Sequence, residues 1–131
     1  MEITRLQHAL LTVKNLEASR AFYQDVLGLE EMERWLIDPA RDGAWFRIGN
    51  TRLHLAVWED HPSNQKVGQS LDPWDNHIAF EVDNIEAWKK KLKEKGVEYL
   101  QGVMGGEKMA QVYFRDPSGN SVELIQHNVP I

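Results

Sequence analysis

Three histidines and one glutamate are the residues through which this 131-residue chain could do chemistry, and their spacing sets them apart. His8 opens the segment His8-Ala-Leu-Leu-Thr-Val13-Lys-Asn15-Leu-Glu17-Ala18, and His77 opens His77-Ile-Ala-Phe-Glu-Val82-Asp-Asn84-Ile-Glu86-Ala87. The two share one pattern at a constant offset of 69 residues, from 8 to 77. The same offset carries His54, in Arg52-Leu-His-Leu-Ala56, onto Glu123, in Ser121-Val-Glu-Leu-Ile125. Upstream, Trp45-Phe46-Arg47 and Tyr113-Phe114-Arg115 correspond with a displacement of one residue. A single strand histidine is ordinarily a surface or satisfied residue. Four metal-competent side chains at matched points of a repeat are not explained that way. There is no cysteine, so a metal here must be bound by imidazole and carboxylate. Three neutral imidazoles and one carboxylate suit Fe, Ni, Co, Zn or Mn better than the hard cations Mg and Ca.

The elements that must position these four residues follow from periodicity. Residues 3–13 alternate as a strand, with Leu6, His8, Leu10 and Thr12 on one face. Asn15 stands where a helix cap belongs, and Leu16, Phe22, Tyr23, Val26 and Leu27 recur at helical spacing up to Gly28. Strands near 29–37, 44–49 and 52–58 follow, broken at Asp38-Pro39, Asp42-Gly43 and Gly49-Asn50. The order then recurs. Strand 75–82 leads through Asp83-Asn-Ile-Glu86 into a Lys-rich amphipathic helix ending at Lys95-Gly96. Strands near 97–101, 109–114 and 121–126 complete it, and Asp116-Pro-Ser-Gly119-Asn120 turns the last hairpin. Each copy is a βαβββ module of about 60 residues, module 1 over 3–58 and module 2 over 75–127, with a polar linker at 59–74, all within one domain spanning 1–131. The fold class is α+β. Ile78, Phe80 and Val82 should pack under the helices, which leaves His77, Ala79 and Glu81 on the opposite face. The same alternation puts His54 with Ala56 and Trp58, and Glu123 with Ser121 and Ile125. His61 and His127 lack counterparts and read as solvated. The glycine-rich loop Gly102 to Lys108 could fold over a site, but it lacks the Gly-Lys-Ser/Thr end of a phosphate loop.

Composition excludes several classes of function. Fifteen Lys and Arg against twenty Asp and Glu give a net charge of −5, which argues against binding nucleic acid or an anionic membrane. The Lys89-Lys90-Lys91 run is a solvated helix face, and Trp88 beside it is core packing. The longest uninterrupted apolar run is four residues, Leu55 to Trp58, so no transmembrane helix is expected. Nothing at the N-terminus reads as a secretory signal, and the expected location is cytoplasmic.

At this point the chain resembles a family. The pattern from His8 through Phe22-Tyr23-x3-Leu27-Gly28-Leu29, then Asn76-His77-Ile-Ala-Phe80-x-Val82, and Phe114-x-Asp116-Pro117-x-Gly119-Asn120-x3-Leu124-Ile125 is similar to that of the vicinal oxygen chelate superfamily. That superfamily holds glyoxalase I, fosfomycin-resistance enzymes, methylmalonyl-CoA epimerase, extradiol dioxygenases and bleomycin-resistance proteins. The resemblance covers nearly the whole chain. It implies paired βαβββ modules forming a U-shaped mixed sheet around a divalent metal, with ligands at His8, His54, His77 and Glu123. It also implies a homodimer whose two sites combine modules from both chains. Two departures stand out. Glyoxalase I usually has Glu or Gln at the position of His54, and the Arg and Asn that glutathione-using bacterial members tend to carry are Thr12 and Trp58 here. Glutathione is therefore not expected as a co-substrate. The Lys/Ser/Tyr potassium-loop pattern of fosfomycin resistance is also missing near the last hairpin.

Three functions fit this constellation, in order of preference. The first is a metal-dependent lyase or isomerase acting on a small substrate with vicinal oxygens through a metal-stabilised enediolate-like intermediate. Three neutral imidazoles, one carboxylate and a divalent ion sum to +1, which favours an anionic intermediate. Proton transfer would fall to Glu123 or to Glu81, the latter more simply an exposed strand residue. The second is an extradiol-type dioxygenase in which His8, His77 and Glu123 hold Fe(II) and His54 is an acid/base beside the metal. The third is a non-catalytic drug-binding protein, which would not need metal ligands. Trp45, Trp58 and Tyr113 are expected to line the substrate site, and Arg47 to pair a substrate carboxylate or phosphate. Ordinary packing of the aromatics, and an Arg reaching along a sheet edge to water, are the alternatives.

Overall fold

The computed structural model describes residues 1–35, 40–102 and 105–128. The chain divides into two compact units, Met1–Gln65 and Lys66–Ile131. The division falls inside the expected linker, which carries a 3-10 turn at Pro62–Lys66.

The first unit runs β1 (His8–Val13), α1 (Leu16–Ala21), a π-helical turn (Phe22–Val26), β2 (Glu30–Met32), β3 (Gly43–Ile48) and β4 (Thr51–Val57). Its strands form one mixed sheet in the order β1-β4-β3-β2, with β1 parallel to β4 and the other pairs antiparallel. The second unit runs β5 (His77–Glu81), α2 (Ile85–Glu94), β6 (Leu100–Gln101), β7 (Met109–Arg115) and β8 (Ser121–His127). Its sheet has the order β5-β8-β7-β6, again with only the first pair parallel. Two βαβββ units of α+β class are therefore present, as the repeat implies. Among the described residues no helix is long and apolar enough to cross a membrane.

The repeat extends to the hydrogen-bond register. Leu10 pairs with His54 across β1 and β4, and Ala79 pairs with Glu123 across β5 and β8, each residue displaced by the same 69 positions. Both helices start alike. The Asn15 side chain accepts from Ala18 N–H at 2.9 Å and the Asn84 side chain accepts from Ala87 N–H at 3.1 Å, satisfying one orphan donor in each first turn.

The helices then diverge. Asn15 and the terminating Gly28 lie 13 residues apart, whereas Asn84 and Gly96 lie 12 apart. The additional residue is absorbed as the π turn, where Leu27 N–H reaches Phe22 C=O at 3.1 Å, so the expected continuous helix changes pitch halfway. Both Phe22 and Tyr23 are thereby buried. The offset between the units drops to 68 at Gly28/Gly96 and stays there through Trp45/Tyr113. It returns to 69 because four residues join Arg47 to Arg52 where five join Arg115 to Ser121. The longer turn is held by Asp116, whose carboxylate accepts from Ser118 N–H and Asn120 N–H, each at 2.9 Å.

β1 begins at His8 and not at residue 3, because β4, its one strand partner among the described residues, turns back at Gly49-Asn50 and the last backbone bond is Arg52 N–H to Gln7 C=O. Residues 1–7 are exposed. The strand expected over 29–37 is confined to β2 among the described residues; Leu36, Ile37 and the Asp38-Pro39 break lie outside them. The strand expected over 97–101 is shortened to β6.

Each unit has its own core. Val13, Tyr23, Phe46 and Leu53 are fully buried in the first, and Leu92, Val112, Phe114 and Val122 in the second. Burying such side chains is the main driving term for each unit. Leu92 is α2's anchor, with no exposed surface. Leu92→Ala is expected to destabilise the chain by about 2–5 kcal/mol, the ordinary cost of a fully buried leucine's cavity, read as a lower urea midpoint.

Candidate metal-ligand positions

In the first unit, the register sets His54 on β4 directly opposite Trp45 on β3 and Leu10 on β1. Leu53 and Leu55 point into the core, so His54 projects from the other face of the sheet. There the rings stack. His8 and His54 have centroids 4.2 Å apart at 11°, and His54 and Trp45 4.2 Å apart at 5°. Trp35 meets Trp45 edge-on at 5.5 Å.

The sandwiched imidazole of His54 is not satisfied. Its Nε2 is buried and has no hydrogen-bond partner, a condition that costs about 1–3 kcal/mol for a buried polar group. Burial, reinforced by His8, Arg52 and Arg34, lowers its pKa to about 4. The ring is therefore neutral at pH 7 with an unused nitrogen, which is the state a divalent metal requires of a histidine ligand. His8 is exposed, and its Nδ1 lies 2.5 Å from Gln7 Oε1. An amide oxygen can only accept, so Nδ1 carries the hydrogen and Nε2 is the nitrogen that this bond leaves unengaged.

In the second unit, Glu123 takes the place of His54 and is only 5% exposed. Its Oε2 lies 2.9 Å from His77 Nε2. Its Oε1 accepts from Gln111 Nε2 at 2.8 Å and from the Tyr113 hydroxyl at 3.3 Å. His77 Nδ1 is 2.8 Å from the carbonyl of Asp75 and must donate to it. Its Nε2 thus faces a carboxylate oxygen directly. That contact is favourable only with a cation shared between the two atoms, whether a proton or a metal ion. Asp75 is itself held by Lys66 at 2.7 Å and Arg115 at 2.9 Å, and these bonds keep its carboxyl below the usual range. The Tyr113 hydroxyl is pushed the other way, chiefly by burial and then by the Glu123 charge, so it remains a donor.

Pro73, Trp74, Asn76, His77, Tyr113 and Glu123 line an open cavity of about 620 Å³ in this unit. The edge of the Tyr113 ring contacts His77 with centroids 5.5 Å apart.

The four donor residues thus occur as two pairs, His8 with His54 and His77 with Glu123. No group of three or more His, Cys, Asp or Glu able to hold a metal occurs among the described residues. Trp45 and Tyr113 both adjoin these pairs. Trp58 lies one residue beyond β4, 44% exposed, with Arg41 over its ring at 4.0 Å and His61 against its edge at 5.0 Å. His61 is therefore not simply solvated; it also bonds Ser63 at 2.8 Å. Arg47 is exposed on β3, opposite Arg52 and Glu30. Glu81 is exposed on β5. In the Gly102 to Lys108 loop, Val103 and Met104 lie outside the described residues.

Sequence reasoning missed Gln7 and Gln111. The second was within reach. Gln111 and Tyr113 alternate onto one face of β7, and a polar residue buried in mid-strand beside a carboxylate calls for a partner.

Comparison with known proteins supplies the family. Residues 5–124 match the family described as the Glyoxalase/Bleomycin resistance protein/Dioxygenase superfamily. The chain is 30% identical over 129 residues to Glyoxylase I 4 of Arabidopsis thaliana, covering 95% of this chain and 71% of that one. It is 33% identical over 127 residues to the metallothiol transferase FosB of Staphylococcus epidermidis, covering 95% and 82%. Among solved structures, a glyoxalase family protein from Enterococcus faecalis superposes with a TM-score of 0.74 at 25% identity, covering 95% of this chain and 99% of the other.

The depressed pKa of His54 has a measurable consequence in metal-free protein. Between its unfolded value near 6.5 and its folded value of about 4, only the unfolded chain binds the proton, so stability falls as pH is lowered through that window. His54→Gln should flatten this part of the stability–pH curve. An unchanged curve in urea titrations from pH 7 to 4 would contradict the buried, neutral state of the ring.

Proposed function

The chain belongs to the Glyoxalase/Bleomycin resistance protein/Dioxygenase superfamily, and from that premise we propose that it is a divalent-metal-dependent lyase or isomerase of the glyoxalase type. Its substrate is a small molecule with two adjacent oxygens, converted through an enediolate-like anion without glutathione. The observation that carries this reading is the repeated register that sets His54 opposite Leu10 and Glu123 opposite Ala79, with the His8 ring stacked on the first and His77 Nε2 against the second.

The residues present fit a metal. His54 offers a neutral nitrogen that is buried and unused, with the His8 ring stacked on it, and His77 with Glu123 offers an Nε2 and a carboxylate oxygen that need a shared cation. His8, His54, His77 and Glu123 are the proposed ligands. When bound, Ni, Zn, Co, Mn or Fe would supply Lewis-acid polarisation of the two substrate oxygens.

Proton movement falls to Glu123. Its Oε2 takes the proton from the carbon beside a substrate carbonyl. That C–H bond breaks, an O–H bond forms, and the electron pair stays on the substrate as the enediolate. Return of the same proton to the neighbouring carbon completes an isomerisation. Glu123 lines the open cavity of the second unit, where a small molecule can reach its carboxylate. In this reading His54 is a fourth ligand that also sets the site's charge: with a single carboxylate the site keeps a net positive charge that favours the anion. Trp45 and Tyr113 line the substrate site, Trp58 extends it and Arg47 meets an acidic group. A homodimer with two such sites, each drawing on modules of both chains, belongs to the same reading.

The test is elemental analysis of protein purified anaerobically without a His-tag or chelator. Nickel, cobalt, zinc or manganese near one equivalent per chain is expected, falling sharply in His8→Ala, His54→Ala and His77→Ala. Glu123→Gln should lower turnover about 100- to 10,000-fold, the usual worth of a positioned acid/base. Iron at one equivalent, with O₂ uptake on catechols, would replace this reading by ring-cleaving dioxygenation. A chain that takes up none of these metals would leave a small-molecule binding protein.

A further inference from the structure

Gln111 makes a commitment that its own hydrogen bonding does not justify. The side chain is buried, with 9% of its surface exposed. Its Nε2 donates to Glu123 Oε1 at 2.8 Å and lies 3.1 Å from the Tyr113 hydroxyl, but its Oε1 is buried with no partner. An ionised carboxylate can only accept, so the amide cannot flip to relieve that oxygen without turning acceptor against acceptor at Glu123. The amide's unsatisfied end is the consequence of what its other end does.

The repeat shows that the sheet does not require this residue. Across β4 and β8, Gly43 pairs with Ala56 where Gln111 pairs with Ile125, so the two occupy the same point of their units. A Cβ at Gly43 would lie 2.1 Å from Leu55 O, and no side chain fits there. The unit carrying His54 builds the same ladder with nothing at this position, and only the unit carrying Glu123 supplies a donor.

We propose that Gln111 is the positioning residue of Glu123: with the Tyr113 hydroxyl it ties down Oε1, so that Oε2 alone faces His77 and is free to ligate and to carry the proton. The inference rests on the metal-dependent reading above for its consequence and on the coordinates of the second unit for its geometry. Without the amide, one restraint on the carboxylate's rotation is lost and both oxygens become available to a cation. A base held by two cation contacts is a poorer acceptor for a substrate proton.

Gln111→Met, of similar length but without a donor, tests it. In metal-free protein, the infrared difference between each background and its Glu123→Gln derivative isolates the Glu123 carboxylate stretches. Those bands should shift in Gln111→Met and should shift less in Tyr113→Phe, whose longer bond holds Oε1 more weakly. Titration with Zn(II) should show affinity about 10–100-fold lower in Gln111→Met, the usual effect of removing a partner of a ligating side chain. The melting temperature of metal-free Gln111→Met should not fall correspondingly, because the substitution also removes the unsatisfied Oε1. Unchanged carboxylate bands would overturn the inference, as would wild-type Zn(II) affinity in Gln111→Met. A wild-type chain that binds no Zn(II) would instead overturn the metal reading, and the metal-free infrared bands would then decide the role of Gln111 by themselves.

Discussion

The parallel pairing of the first and last strands in each unit is the constraint on which the rest of the structure depends. A parallel pair cannot be joined by a short turn, so a helix and two further strands must be threaded between its members. That requirement yields the βαβββ order twice. It also fixes which side chains come together, because in a parallel ladder a residue's neighbour across the strand is set once the register is set. His54 beside β1 and Glu123 beside β5 follow from register alone. A slip of one residue on β4 would send His54 into the core and leave Leu53 or Leu55 outside, losing the burial that holds the unit together.

Much of this was legible in the residues. The two capped helices and the matched offset of the four candidate residues are local properties of the sequence; the Asn15 and Asn84 side chains do cap their helices, and the register carries the pair Leu10/His54 onto Ala79/Glu123. The single displaced offset at Trp45/Tyr113 was visible too, but its cause was not. It takes an added residue in one helix and an added residue in the other unit's hairpin to shift the offset and restore it. Neither has a signature in periodicity, since a π turn keeps the apolar spacing of a helix over so short a span. The start of β1 differs from its expected position for a similar reason. Residues 3–7 alternate like a strand, but alternation says nothing about whether a partner backbone extends that far.

The candidate site shows the same division. Residue type and spacing named the candidate donors, because metal ligation draws on a small set of side chains. Residues that orient the donors draw on a larger set and are harder to read. A glutamine on a strand is usually solvent-facing, and only the buried carboxylate that its side chain reaches gives Gln111 meaning. The Asp75 carbonyl that fixes the tautomer of His77 is backbone, so no residue type could have announced it.

The two units have diverged where their equivalence is closest. At one position a histidine lies between two aromatic rings, its nitrogen without a partner and its charge suppressed by burial. At the matching position a carboxylate lies among a histidine, an amide and a phenol, each of its oxygens assigned to different groups. The first environment suits a group that stays neutral and gives up a lone pair. The second suits a group whose two oxygens do different things, one anchored and one available. Gly43 against Gln111 is the smallest expression of that difference, since removing or supplying one amide donor is enough to change whether the neighbouring side chain is held in a fixed orientation. The repeated module supplies symmetric positions for four side chains; the proposed acid–base role needs those positions to be unequal, and the inequality is built from single side chains on an otherwise repeated ladder.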